Sequence, residues 1–416
     1  MKKLIVVILI TFSSKSIVAQ QNVGISGNSN WTNLWTNFNP KSIEYNEANE
    51  ILSGNITENK TLYKKNVYLL NGTVVVKNNA ILTIEPGTVI RGDVETIGTL
   101  LIAKNSKLIA NGNLTDPIIF TSNKPSGQRR PGDWGGIILY GDAPINTHGG
   151  FSNLDVVDSN QCGIYGGNNA DSDSGVINFI RIEFAGKKVS KSKEFNGLTI
   201  AGVGKKTILS NIQVSFSDDD SFEMYGGNVI LNNLVSYRST DDDFDFTEGT
   251  QATISNSLAL RNPYNSDTAI SRSFEIGNYS KKENTDFSKK ATSVIANNVT
   301  LVNTEENASG LVKEAIYITE GCALKLTNSL VYGYSQGMIL DDKISTNDGL
   351  KNIILDNVQF YSVNKIAKFE TVTTKLAYNT DFQITTANQI DIFYESNFKK
   401  PIDFRIKNAS SFAYNK

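Results

Sequence analysis

Along most of this chain the apolar residues come in short runs separated by Gly, Asn, Asp or Pro. Val74–Val76, Leu82–Ile84, Val89–Ile90, Leu100–Ile102, Ile118–Phe120 and Ile137–Leu139 follow one another at turn-length gaps. Runs this short, with turn residues at both ends, predict brief strands rather than helices. The pattern also repeats. Thr73–Leu82 is echoed by Leu100–Ile109, 27 residues later.

The second half carries an Asn-x-apolar signature at Asn211, Asn233, Asn256, Asn298, Asn328 and Asn357, with gaps of 22, 23, 42, 30 and 29 residues. A second column begins at Phe222, Phe244, Phe274, Ile316 and Met338. Two columns kept in step at a period of 22 to 30 residues predict a stacked solenoid, in which each coil buries its apolar face only against the next. The fold class expected is all-β: a right-handed, pectate-lyase-like parallel β-helix with loop insertions. At a tight turn Asn tolerates left-handed φ, and its amide can bond to the Asn one coil away. Thr121–Asp133, Asp142–Gly175 and Asn278–Thr292 are rich in polar and turn residues and read as loops leaving the stack, the usual place for function on such a scaffold.

The ends differ from the middle. Lys2 and Lys3 precede an apolar stretch, Leu4–Phe12, too short to span a bilayer, and Ala19 offers a cleavage position before Gln20. Residues 1–19 therefore read as a secretory signal. Residues 20–50 read as an N-terminal cap in which Trp31 and Trp35 close the first coil. The solenoid is expected over 51–363, with 364–416 as a cap or tail closing the last coil. Export makes the compartment periplasm, outer surface or extracellular space. It also allows Cys162 and Cys322 to form one disulfide, the alternative being two separate thiols.

Cleavage would remove three of the 40 basic residues and none of the 42 acidic ones. That mild acidity, with no Lys/Arg stripe, argues against a nucleic-acid partner. No later run is long enough to span a membrane. The single histidine, His148, argues against Ser-His-Asp catalysis and multi-histidine zinc sites.

Several long stretches resemble a family of exported right-handed β-helix proteins common in Bacteroidetes-type bacteria. They are "YLLNGTVVVKNNAILTIEPGTVIRGD", "PGDWGGIILYGDAPIN", "YGGNNADSDSGVINFIRIEFAG", "FNGLTIAGVG", "VSFSDDDSFEMYGG" and "VSYRSTDDDFDFTEG". The resemblance covers about Glu50 to Asn278, and more loosely reaches Asp342. It implies the fold and carries no established reaction. The chain departs from its relatives at Ser271–Asn278, where an acidic run is common, and in its tail, which does not resemble a surface-sorting domain.

Two of these stretches hold the candidate chemistry. Aligned, they place Phe216 over Tyr237, Phe222 over Phe244 and Glu223 over Asp245, with Glu275 one coil later. Strand alternation then turns Phe222, Met224, Phe244 and Phe246 inward and Glu223, Asp245 and Glu275 outward, at about 5 Å spacing. With Asp218, Asp219, Asp220, Asp241, Asp242 and Asp243 in the adjoining turns, the carboxylates can converge on one face. A site rich in oxygen and lacking His and Cys suits Ca²⁺. Asp runs that merely cap turns or keep a sheet soluble are the competing explanation. Asn168–Gly175, with alternating Asp, is a candidate second calcium loop.

Arg238 and Arg261 fall near each other in the stack. They either pair with the aspartates, bind an anionic sugar, or serve as base in a β-elimination. Tyr225, Tyr237 and Glu275 are candidate ligand contacts. Three functions follow: a Ca²⁺-assisted binding protein for polysaccharide or an envelope component, which is preferred because no acid/base pair stands apart; a polysaccharide lyase or glycoside hydrolase working through Glu223, Asp245, Arg238 or Arg261; or a structural, adhesive protein.

Overall fold

The computed structural model describes residues 23–190, 193–266, 270–304, 310–345, 347–371, 384–385 and 389–407. The proposed signal, residues 1–19, lies outside them. Short parallel strands stack into three faces of one β-helix, starting at Glu50–Ile56 and continuing past residue 363 to Lys365–Phe369 and Ile384–Thr385. The third face, which carries the acidic column, runs through Thr99–Ile102, Gly136–Tyr140, Leu198–Ala201, Phe222–Tyr225, Phe244–Thr247 and Phe274–Ile276.

Each coil contributes inward Leu, Ile, Val and Phe to a single apolar core running from Leu52 to Phe369. Phe222 and Phe244 stack with centroids 5.1 Å apart, and Phe274 meets Phe244 edge-on at 5.5 Å. Register pins these rings, since sliding one strand by one residue would turn its apolar side chains outward.

The asparagine column forms as the sequence implies. Asn211, Asn233, Asn256, Asn298, Asn328 and Asn357 all adopt left-handed φ between 48° and 55°. Amide bonds link Asn211 to Asn178 (2.9 Å), Asn233 to Asn211 (3.1 Å), Asn256 to Asn233 (2.9 Å) and Asn357 to Asn328 (2.7 Å). At Asn298 the N-terminal segment joins the column: Asn298 Nδ2 donates to the Gly24 carbonyl, Asn297 Nδ2 donates to Asn298 Oδ1, and Asn297 Oδ1 accepts from Asn328. Replacing Asn256 with Ala forces left-handed φ on a residue with no compensating amide. The expected loss is about 2–3 kcal/mol. Asn256→Gly, which keeps the backbone free, should lose only about 1 kcal/mol. Urea unfolding of both variants checks this.

The described parts of the terminal segments pack along the side of the coils rather than over their open ends. Trp31 and Trp35 lie along the outside of the second face, with Trp35 edge-on to Phe179 at 5.8 Å. The antiparallel pair Phe393–Glu395 and Asp403–Ile406 packs on the same flank. The reason is that this face points apolar residues outward as well as inward. Val235, Tyr237, Leu258, Leu260, Val302 and Leu330 need cover, and the two termini supply it. Buried arginines hold the strap down: Arg91 donates to the carbonyls of Asn46 and Asn123, and Arg129 to those of Pro40 and Ile43. Cys162 and Cys322 are both buried and unpaired, so the candidate disulfide is absent. Among the described residues no helix is long and apolar enough to cross a membrane.

Candidate functional site

The outward column of the third face reads Thr199, Glu223, Asp245, Glu275, each opposite the next in register. The two aspartate triplets stack with an offset of one. Phe222 pairs with Phe244, so Ser221 faces Asp243 and Asp220 faces Asp242 across the coils. On the flank the offset runs the other way. Ser215, not Phe216, is opposite Tyr237, and Phe216 falls in line with Arg238. The turns between the faces, entered through left-handed Phe216 and Arg238, are of equal length, and the two triplets sit one position apart within them.

This offset gives the aspartates separate tasks. Asp219 and Asp241 face a cleft beside the third face, as does Asp220, whose Oδ1 also accepts the Asp242 backbone N–H at 2.8 Å. Asp242 turns aside and accepts the Arg272 backbone N–H. Asp218 stands outside the cleft, and its carbonyl accepts from the Thr240 hydroxyl. Asp243 points into the core, fully buried, bonded to the hydroxyls of Ser236 and Ser273 and 3.3 Å from the guanidinium of Arg261.

The cleft has a volume of about 390 Å³. Its floor is Asp219, Asp220, Glu223, Tyr225, Asp241 and Asp245. Its walls come from insertions that the sequence marks as loops. Residues 152–156 and Tyr165 belong to Asp142–Gly175, and Ser280, Lys281 and Asn284 belong to Asn278–Thr292. The two insertions are tied together at their bases. Asn146 Nδ2 donates to the Asn278 carbonyl (2.7 Å), and Lys289 to that of Thr147 (2.7 Å).

Three members of the site are not evident in the repeat alignment. Glu194 ends the small hairpin Lys188–Ser190 and Lys193–Glu194, and Asn196 follows it; this hairpin has no counterpart in the neighbouring coils. Glu248 stands where the preceding coil has Gly226, and both hold left-handed φ. An acid at a glycine position of the repeat is the signal that could have revealed it. Its carboxylate accepts from Tyr165 Oη (2.9 Å) and Ser280 Oγ (2.5 Å), so it ties both walls to the floor.

Other candidates lie elsewhere. Glu275 is drawn into an ion pair with Arg272 (2.5 Å), which also holds Glu314 (3.0 Å). Tyr237 is buried on the opposite flank against Phe38, and Arg238 lies over Tyr237 and Phe398. Arg261 is inside the solenoid. In Asn168–Gly175, Asp171 pairs with Lys205 (3.0 Å) and Asp173 with Lys107 (2.5 Å).

Eight carboxylates line the cleft (Asp155, Glu194, Asp219, Asp220, Glu223, Asp241, Asp245 and Glu248), beside one base among the described lining residues, Lys281, which is paired with Asp155, while Glu194 is paired with Lys188. Burial pushes Asp219, Asp220 and Asp245 well above the carboxylate range, with neighbouring acids adding to the shift. Burial likewise raises Glu248. Glu223 is pushed up to about 8 by burial, although hydrogen bonds from Tyr225 and Asn196 offset part of the effect. Because these folded-state values exceed the unfolded ones, the folded chain keeps protons that the unfolded chain has released. In chelator, stability should therefore fall as pH rises from about 4, the ordinary carboxyl value, to about 8, where Glu223 ionises. A melting temperature that climbs across that window would contradict this.

Two atoms in the cleft lack the partners that buried polar groups normally have. Asp245 Oδ1 and Asn196 Oδ1 are both buried without a hydrogen bond. Asp220, Glu223 and Asp245 each offer an oxygen within 4.8 Å of the others, as do Asp219, Asp220 and Asp241. Calcium, with bonds of about 2.3–2.6 Å and variable geometry, can bridge oxygens that far apart.

No curated protein matches the chain. The solved structure of PfbA, a surface adhesin of Streptococcus pneumoniae, is similar at 11% identity. It covers 78% of this chain and 73% of that one, with a TM-score of 0.39. A family model described as a pectate-lyase-like β-helix domain matches residues 54–397. With the three-faced parallel solenoid, that match shows that the chain belongs to the pectate-lyase-like β-helix domain family.

Proposed function

We propose that this is an exported binding protein whose acidic cleft holds Ca²⁺ and, through it, a saccharide of a polysaccharide or envelope component. The observation that carries the reading is the triad Asp220, Glu223 and Asp245: three carboxylates offering oxygens within 4.8 Å of one another, with Asp245 Oδ1 buried and without a partner. Like charges this close are stable together only if protonated or neutralised, and a cation in an open cleft neutralises them while leaving coordination positions facing the cavity. The saccharide part rests on the family description and on the long, loop-walled third face. Export rests on residues 1–19.

Thermal unfolding of the mature chain in Ca²⁺ and in chelator tests this reading. A cation that binds only the folded state raises the melting temperature in step with its concentration. The rise should vanish in Glu223→Gln/Asp245→Asn. Equal melting in Ca²⁺ and chelator would remove the cation from the account.

One observation favours a second reading. Glu223 and Asp245 are opposite each other on adjacent strands, so their separation is near the ~5 Å of a retaining glycosidase pair. Reducing ends released by the parent and not by Glu223→Gln would establish hydrolysis; the binding reading expects none. A lyase using Arg238 or Arg261 as base draws no support, since neither lines the cleft.

A further inference from the structure

The charge around the cleft narrows what can occupy it. Eight carboxylates line it, its one lysine is already held by Asp155, and Lys188 nearby is held by Glu194. The two arginines that might have received an acidic sugar are committed elsewhere: Arg261 to Asp243 inside the solenoid, and Arg238 to the aromatic flank. Arg272, the next guanidinium along the acidic column, is occupied by Glu275 and Glu314. A divalent cation on the floor compensates at most two of these carboxylates, and burial resists ionisation of the remaining buried ones. A uronate carboxylate entering here would be buried among carboxyl groups with no uncommitted cation among the described lining residues, which costs affinity in a partly buried site.

The unmet polar atoms point to a neutral ligand instead. Asn196 is 4% exposed and lines the cleft, and its Oδ1 lacks a donor, as does Asp245 Oδ1. A ligand hydroxyl can donate to either, whereas a carboxylate only accepts. Hydroxyl oxygens can also fill open calcium positions, which number six to eight in all. Half-buried Val156 and Tyr225 give the cleft an apolar side for the C–H face of a sugar ring.

We infer that the cleft selects neutral, polyhydroxylated saccharides and rejects polyuronates. This rests on the cation reading above, whose failure is separable. Affinity electrophoresis and calorimetry would use the mature protein in Ca²⁺ and in chelator, against a soluble glucan, mannan and galactan and against polygalacturonate. Lys281→Gln and Asp245→Asn are run alongside, their folding checked by melting. The inference expects Ca²⁺-dependent binding to at least one neutral polymer, at least tenfold tighter than to polygalacturonate. It also expects that binding to be lost in Asp245→Asn, and Lys281→Gln to keep the preference for the neutral polymer over polygalacturonate. Polygalacturonate bound as tightly as the neutral polymers, or more so, overturns it, as does failure to bind all three neutral polymers by a protein that still binds Ca²⁺. Absence of Ca²⁺ binding itself defeats the earlier reading instead; neutral-glycan binding that persists in chelator would then keep the selectivity and discard the ion.

Discussion

Replacing Arg261 with methionine should lower the unfolding free energy by about 3–5 kcal/mol, the cost of stranding a charge in the interior. Arg261 and Asp243 are both fully buried, with the guanidinium also donating to the carbonyls of Asp241 (2.6 Å) and Arg272 (2.9 Å). Without it Asp243 keeps its bonds to Ser236 and Ser273 but loses its counter-charge. One coil earlier, Ser221 fills the position of Asp243 and bonds Ser236 at 2.7 Å. Arg261→Met/Asp243→Ser copies that solution and should recover most of the loss, because replacing a whole buried pair is close to neutral. Urea unfolding of the parent, single and double variants measures both effects. A single variant within 1 kcal/mol of the parent would mean that the pair is hydrated rather than buried.

The second large effect has the opposite sign. In chelator at pH 8, Glu223→Gln/Asp245→Asn should be more stable than the parent by a few kcal/mol, on the scale of 1.36 kcal/mol per pKa unit. Glutamine keeps the acceptor that Asn196 Nδ2 uses and removes a group whose ionisation the site resists. The parent should overtake or match the variant only when Ca²⁺ is supplied. Most substitutions at buried polar positions destabilise, so a gain in chelator would single out these carboxylates as strained by charge. A variant that is less stable in chelator would show that their hydrogen bonds outweigh their repulsion.

Much of this was legible in the sequence because the solenoid repeats. Register along the third face followed from aligning Phe222 with Phe244, and alternation then turned Glu223 and Asp245 outward. The asparagine column was readable because one residue type satisfies both the left-handed turn and the bond to the next coil. What the repeat could not show lies where coils differ. The two triplets sit one position apart in turns of equal length, which sends Asp243 inward. Arg261, polar by composition, entered the interior because a buried carboxylate awaited it there. Tyr237 left the candidate site because residues 23–38 and 392–406 return to cover its flank, a contact between chain segments hundreds of residues apart. Glu194 and Asn196 arrive on a hairpin outside the period, and Glu248 hides at a glycine position.

The central claim is that the cleft binds a cation through Asp220, Glu223 and Asp245. Calorimetric titration of Ca²⁺ into the mature protein at pH 7.5, beside Glu223→Gln/Asp245→Asn, tests it most directly. The account predicts saturable binding by the parent, at or tighter than the ~10⁻⁴–10⁻³ M range of extracellular calcium modules, and none by the variant. No saturable binding by the parent in that range, or equal binding by parent and variant, would contradict it.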